Sequence, residues 1–164
     1  VRTIFNILGP LLNPAQVTRQ VVGVFDPSLT AIVAGALRRL GSKEAMVVSS
    51  RDNLDELSIA DITYVSHLKN GEIANYQIVP EDAGLPRMTD ANLSGGDAKH
   101  NAQIIRGILE GDHGPRRNVV LLNAAAGLLV GGLVNSLADG VSLASEVIDD
   151  GRALGVLHKV GGQK

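Results

Sequence analysis

The segment QVVGVFDPSLTAIVAGALRRLGSKEAMVV, residues 20–48, predicts one β-α-β unit. A valine-rich stretch over residues 20–25 is typical of a strand, and Asp26 and Pro27 then supply a helix cap and a first helical position. Residues 45–48 form a second short apolar run, so the two strands are expected to be parallel. The helix between them is predicted from apolar residues that share one helical face: Leu29, Ile32, Val33, Ala36, Leu37 and Leu40.

The rest of the chain predicts a β-hairpin and further helices. Residues 62–68 and 72–79 flank Asn70-Gly71, a pair that favours the positive φ angles of a type I′ turn, and are predicted to be the two strands of the hairpin. Apolar spacing and helix-end signals predict helices over residues 4–8 (ending at Gly9-Pro10), 98–109 (capped by Asp97), 119–130 and 142–159, the last one continuous through Gly151 and Gly155. The fold class expected is therefore α/β, a mixed, largely parallel sheet with flanking helices.

Length and composition restrict the class of protein. A chain of 164 residues suits one domain, which we expect to span residues 1–164. A net charge of -2 and only 2% aromatic residues argue against nucleic-acid binding, which needs a basic surface or stacking side chains. The chain has no cysteine and no apolar run of membrane-spanning length, so we expect a soluble, cytoplasmic protein that does not bind membranes.

The strongest chemical candidates are the adjacent carboxylates Asp55 and Glu56, which follow the second predicted strand. Ligands of open α/β sheets bind outside the carboxyl ends of strands, where this pair is expected to lie. Magnesium takes one or two protein carboxylates and completes its octahedron with water and phosphate oxygens. The alternative is a solvated loop with a capping Asp, and spacing alone leaves both interpretations open. Asp52 is expected either to join the pair or to cap a turn.

Other polar residues give weaker signals. Arg2 is either a solvated arginine or a guanidinium that binds a carboxylate or phosphate. Ser49 and Ser50 follow a strand but lack the surroundings of a nucleophile elbow, so no catalytic residue is assigned. The four histidines show no metal-ligand spacing and receive no role: His67, His100, His113 and His158.

Several motifs together resemble the C-terminal α/β part of the anthranilate phosphoribosyltransferases. The most specific is RTIFNILGPLLNPA, residues 2–15, and LDELS at residues 54–58 follows after the β-α-β unit. Supporting matches lie at residues 70–73, 80–85 and 118–126, so the resemblance covers nearly the whole chain.

The resemblance implies transfer of phosphoribosyl from phosphoribosyl pyrophosphate to anthranilate, a step of tryptophan biosynthesis that uses Mg2+. In such enzymes the acidic pair, here Asp55 and Glu56, binds magnesium, and the arginine that opens the first motif, here Arg2, contacts the anthranilate carboxylate. The family usually has a histidine and glycines before the acidic pair, where this chain has Ser49, Ser50 and Asn53.

The family's Gly-rich donor-binding loop, Lys-containing phosphate loop and N-terminal helical domain all precede the motif at Arg2. We therefore expect these residues to form a fragment of a nucleoside phosphorylase/phosphoribosyltransferase-type catalytic domain, inactive alone, from a full-length homodimer. Two alternatives stay open: a pyrimidine nucleoside phosphorylase-like enzyme, and a non-catalytic truncated or interaction domain whose sheet edge pairs with another segment.

Overall fold

The computed structural model describes residues 9–89 and 93–161. Within these ranges no helix is both long and apolar enough to cross a bilayer. The elements follow in the order β1 (Arg19–Gly23), α1 (Leu29–Arg39), β2 (Glu44–Ser50), β3 (Thr63–Lys69), β4 (Glu72–Ile78), a 3-10 helix (Pro80–Ala83), α2 (Ala98–Leu109), α3 (Pro115–Gly131), α4 (Leu137–Asp149) and α5 (Arg152–Gly161).

The four strands form one mixed sheet in the order β1-β2-β3-β4. The predicted β-α-β unit is confirmed, because β1 and β2 pair in parallel across α1. The hairpin is confirmed too, with positive φ angles at Asn70 and Gly71 (53° and 81°). The expectation of a largely parallel sheet needs correction for the described residues: β2–β3 and β3–β4 are both antiparallel. The reason is that only β1 and β2 are joined by a helical crossover, whereas a loop and a hairpin connect the others.

Strand β2 lies at the centre of the core, and all seven of its residues are buried. Alternate residues point to opposite faces of a strand. Ala45 and Val47 accordingly pack with α1 residues such as Leu37, in one apolar cluster. Met46 and Val48 belong to a second cluster, which contains the α3 residues Leu122, Ala126 and Val130. The sheet is therefore covered by α1 on one face and by α3 on the other.

Several element boundaries differ from the predictions for local reasons. Helix α1 begins at Leu29, because the Asp26 carboxylate accepts hydrogen bonds from the backbone and hydroxyl of Ser28 (2.9 and 2.7 Å) and holds a turn before it. Helix α3 begins at Pro115, four residues earlier than predicted, since proline is well suited to a first helical position.

The prediction of one helix over residues 142–159 is wrong. Helix α4 ends at Asp149 and α5 begins at Arg152, with Gly151 between them at a φ of 79°, a left-handed conformation that ends a helix. The predicted helix over residues 4–8 lies outside the described residues. Residues 9–11 are helical, so the expected stop at Gly9-Pro10 is also wrong.

Helices α3 and α4 meet at very short range. Gly140 of α4 is buried, and a Cβ atom placed on it would lie 2.7 Å from the Cβ of Ala125. Next to this contact, the buried Arg117 of α3 donates hydrogen bonds to Ser145 and Asp149 of α4 (2.9 and 2.7 Å). The hydrogen bond from Arg117 lowers the pKa of Asp149. Close backbone approach and a buried guanidinium thus join the two helices.

A charged cluster lies where β2 begins. The buried carboxylate of Glu44 contacts Arg19 on β1 (2.7 Å) and both His67 and Lys69 on β3 (3.2 Å each). Burial raises the pKa of Glu44, but hydrogen bonds from Lys69, Arg19 and His67 outweigh burial, so the pKa lies below its ordinary value. The cluster ties three strands together at the amino end of β2.

We expect Gly140→Ala to lower the free energy of unfolding by about 1–3 kcal/mol, because the new methyl group overlaps Ala125. Gly127→Ala is the matched control on α3, since a Cβ there meets no atom within 4 Å. It should raise stability by about 0.5–1 kcal/mol, the usual gain of alanine over glycine in a helix. Urea unfolding of both variants measures the difference, and equal effects would contradict the close contact.

We expect Glu44→Gln to lower the free energy of unfolding at pH 7 by about 1–3 kcal/mol, since hydrogen bonds to a charged group are lost. The pKa of Glu44 is lowered in the folded state, so its stabilisation is complete above the unfolded value of 4.5 and is lost as the pH falls through the folded value. The gap between wild type and variant, measured by urea unfolding, should therefore shrink below pH 4.5. A gap that stays constant on acidification would contradict this role.

Candidate functional site

The loop of residues 51–62 joins β2 to β3 at the sheet edge where the parallel strands β1 and β2 have their carboxyl ends. Asp55 and Glu56 lie on this loop and are exposed, so their predicted position is confirmed while their role stays a prediction. Neither carboxylate has a hydrogen bond or ion pair with any residue in the described ranges. Two free, adjacent carboxylates at such an edge are suited to a hard cation that brings its own oxygen ligands.

Asp52, another acidic residue of the loop, has a structural role. Its carboxylate accepts a hydrogen bond from the Ser58 hydroxyl (2.6 Å) and lies beside the Ser50 hydroxyl. Ser58 in turn accepts from the backbone of Ala60 and Asp61 (2.9 and 3.1 Å). Asp52 therefore closes the base of the loop instead of extending beside the pair.

Two of the residues that differ from the usual pattern of the anthranilate phosphoribosyltransferases stabilise the conformation of this loop. Ser50 is buried, and its hydroxyl accepts a hydrogen bond from the Leu54 backbone (3.1 Å). Asn53 has a φ of 66°, in the left-handed region that glycine favours and asparagine tolerates best among the other residues. Serine and asparagine thus support the turn by side-chain hydrogen bonding and by backbone conformation.

Strand β1 contacts the acidic pair through its last residue. A Cβ atom placed on Gly23 would overlap the backbone carbonyl of Asp55. Only glycine allows this approach, so Gly23 lets the loop lie directly against the end of β1.

Helix α3 contacts the loop on the other side of the pair, through a residue that sequence reasoning did not assign. The Asn123 side chain accepts a hydrogen bond from the backbone N–H of Leu57 and donates one to its carbonyl (3.0 Å each). The available signal was an amide side chain within the nearly continuous apolar run of residues 119–130. Its meaning depended on the loop being folded against α3.

The candidate histidines lie outside the 51–62 loop. Arg2 falls outside the described residues. His67 belongs to the Glu44 cluster, and a cavity of about 570 Å3 lined by α2 and α5 includes His158 but no residue of the 51–62 loop. In the part of the chain that the structure describes, no three His, Cys, Asp or Glu side chains are grouped to hold a metal.

Comparison with known proteins relates this fold to one enzyme class. The chain is 51% identical to the anthranilate phosphoribosyltransferase of Alkaliphilus metalliredigens over 160 residues, which are 98% of this chain and 47% of that protein. The crystal structure of the Thermus thermophilus anthranilate phosphoribosyltransferase matches with a TM-score of 0.89 and 39% identity, covering 97% of this chain and 47% of that one.

Two structures of the Saccharomyces cerevisiae anthranilate phosphoribosyltransferase match as well. One is in complex with PRPP and Mg, and the other is in complex with 4-fluoroanthranilate. Both have a TM-score of 0.84, with 29% and 28% identity, and in both the match covers 96% of this chain and 46% of the yeast chain. The chain thus spans about half the length of the relatives it matches.

A family model shows where the chain belongs. The model described as "Glycosyl transferase family, a/b domain" matches residues 1–154, which include β1, the 51–62 loop and α3. The chain belongs to this glycosyl transferase family, as an example of its a/b domain.

Proposed function

We propose that the protein transfers the phosphoribosyl group of phosphoribosyl pyrophosphate to the amine of anthranilate, a step of tryptophan biosynthesis. The observation that carries the proposal is the carboxylate pair Asp55 and Glu56, exposed and without a partner among residues 9–89 and 93–161, on a loop held at the carboxyl ends of β1 and β2. The relatives named above support it, since they are anthranilate phosphoribosyltransferases and the yeast enzyme has been solved with PRPP and Mg.

We propose Asp55 and Glu56 as the magnesium ligands of this chain. Both are hard oxygen donors, exposed and free of other partners among the described residues, so the donor set fits magnesium. When bound, the ion neutralises negative charge on the departing diphosphate. The two carboxylates would hold the ion at the carboxyl ends of β1 and β2, and would leave its other positions to oxygens of the diphosphate and water.

Arg2 is proposed to bind the anthranilate carboxylate. A planar guanidinium offers paired N–H donors whose geometry matches a carboxylate, which orients the acceptor amine toward the sugar. The support for this role is the RTIFN motif at residues 2–6 and the yeast complex with 4-fluoroanthranilate.

The 164 residues are proposed to be one α/β domain that provides part of a catalytic centre in a homodimeric, cytoplasmic enzyme. The chain spans about half the length of its relatives. Its 51–62 loop provides two carboxylates, but the 164 residues contain no Gly-rich phosphate-binding motif. We therefore expect no turnover by these residues alone. A hybrid in which this chain replaces the matching segment of the Alkaliphilus metalliredigens relative is the form in which activity is measured.

In that hybrid, Asp55→Asn combined with Glu56→Gln should reduce activity by roughly 100-fold or more at a fixed magnesium concentration, since changes in the outer shell of a metal site alone cost about 10–100-fold. The measurement is anthranilate consumption as a function of magnesium concentration. Glu72→Gln with Glu110→Gln is the control, because it removes the same charge from exposed sites outside the loop. An unchanged magnesium dependence in the Asp55/Glu56 variant would overturn the assignment.

Arg2→Gln in the same hybrid should raise the KM for anthranilate by about 10–100-fold and leave the KM for phosphoribosyl pyrophosphate unchanged. The loss of a charged hydrogen bond, about 1.5–3 kcal/mol, accounts for this range. Arg38→Gln, an exposed arginine on α1, is the control. Inhibition by pyrimidine nucleosides in place of anthranilate would instead favour a nucleoside phosphorylase-like activity.

A further inference from the structure

We propose that Asn123 is a positioning residue for the acidic pair, acting through the backbone of Leu57. The inference rests on the proposed metal role of Asp55 and Glu56 and adds to it a residue of α3. Asn123 touches neither carboxylate, and its effect is to fix where the chain leaves the loop and enters the core.

The contact needs a side-chain amide. Its oxygen accepts from the Leu57 N–H while its nitrogen donates to the Leu57 carbonyl, so one side chain satisfies both backbone groups of one residue. The amide nitrogen also donates to the carbonyl of Val119 in the preceding turn of α3 (3.0 Å). This third hydrogen bond holds the Asn123 side chain in one rotamer. Because α3 is packed on the sheet, Asn123 fixes the position of the loop relative to the core.

The backbone on both sides of the pair is held in place, while the two carboxylates contact no partner in the described part of the chain. Leu57, next to Glu56, is fully buried in the apolar cluster between the sheet and α3. Before Glu56, the carbonyl of Asp55 lies against Gly23. Two carboxylates without partners among the described residues therefore stand on a backbone fixed from β1 and from α3, which is the arrangement that keeps metal ligands in position before a metal arrives.

The anchoring is specific to this point of α3. Asn118 lies on the same helix and is also half-buried, but its side-chain amide contacts the sulfur of Met88 (3.4 Å) and no residue of the loop. The chain therefore contains a matched pair of asparagines, of which one holds the loop. A general loss of stability and a loss of loop position can be separated by comparing them.

The first measurement is amide hydrogen exchange in the whole 164-residue chain. In Asn123→Ala, exchange at Leu57 should become faster relative to the global unfolding rate, because its N–H loses its acceptor. Asn118→Ala should leave exchange at Leu57 unchanged. Asn123→Ser retains a polar group at the site and serves as the second variant if alanine prevents folding. Unchanged exchange at Leu57 in a folded Asn123 variant would overturn the proposal.

The second measurement uses Mn2+ alone as the probe, followed by paramagnetic broadening of assigned amide signals. In the wild type, the signals of Asp55 and Glu56 should broaden at lower Mn2+ than those of Glu72 and Glu110, and excess Mg2+ should reverse the effect. Asn123→Ala should need about 10-fold more Mn2+ for the same broadening, and Asn118→Ala the same amount as wild type.

The outcomes separate the two proposals. Selective broadening in the wild type that Asn123→Ala leaves unchanged would overturn the role of Asn123 while the metal role of the pair stands. A wild type in which Asp55 and Glu56 broaden no earlier than the surface glutamates would overturn the metal role itself, and the positioning role with it. Selective broadening weakened only in the Asn123 variants supports both.

Discussion

The burial of β2 on both faces is the constraint on which the rest of the structure depends. A strand covered on one side by α1 and on the other by α3 must be largely apolar, and it cannot shift its register without exposing one set of side chains. Its last residue, Ser50, is therefore at a fixed place, and the loop that follows starts from a fixed point. The same helix that covers β2 also provides Asn123, so core packing and loop position are set by one element.

Within the 51–62 loop and the end of β2, some residues hold the loop conformation and others are available to bind a ligand. The side chains of Asp52, Ser50 and Ser58 form hydrogen bonds with one another and with the loop backbone. These hydrogen bonds close a turn in which Asn53 has a left-handed backbone conformation. Asp55 packs against Gly23 through its backbone carbonyl, and the side chains of Asp55 and Glu56 are both exposed and unpaired among the described residues. A charged side chain that is already paired must break that pair to bind a ligand, whereas these two have no partner among the described residues to give up.

Patterns that depend on nearby residues were readable from the sequence. The β-α-β unit, the hairpin at Asn70-Gly71 and the cap at Asp97 each follow from local spacing and turn chemistry, and the placement of Asp55 and Glu56 followed from the strand before them. The break at Gly151 was missed because apolar spacing continues across it, and one positive φ angle decides the matter. The contacts of Gly23 and Asn123 with the loop were not readable, since each joins residues that are distant in the chain and depends on the packed arrangement of three elements.

The two ends of β2 differ in how their charges are compensated. At the amino end of β2, the Glu44 carboxylate is paired with Arg19 and Lys69, so its negative charge is compensated there. At the carboxyl end, Arg51 is matched by Asp61, and Asp55 and Glu56 add negative charge that no described residue balances. The two ends are seven residues of strand apart, roughly 20 Å, which is beyond the screening length of about 8 Å at physiological salt. A cation that approaches the sheet is therefore attracted to the carboxyl end of β2, and raising the ionic strength weakens this attraction.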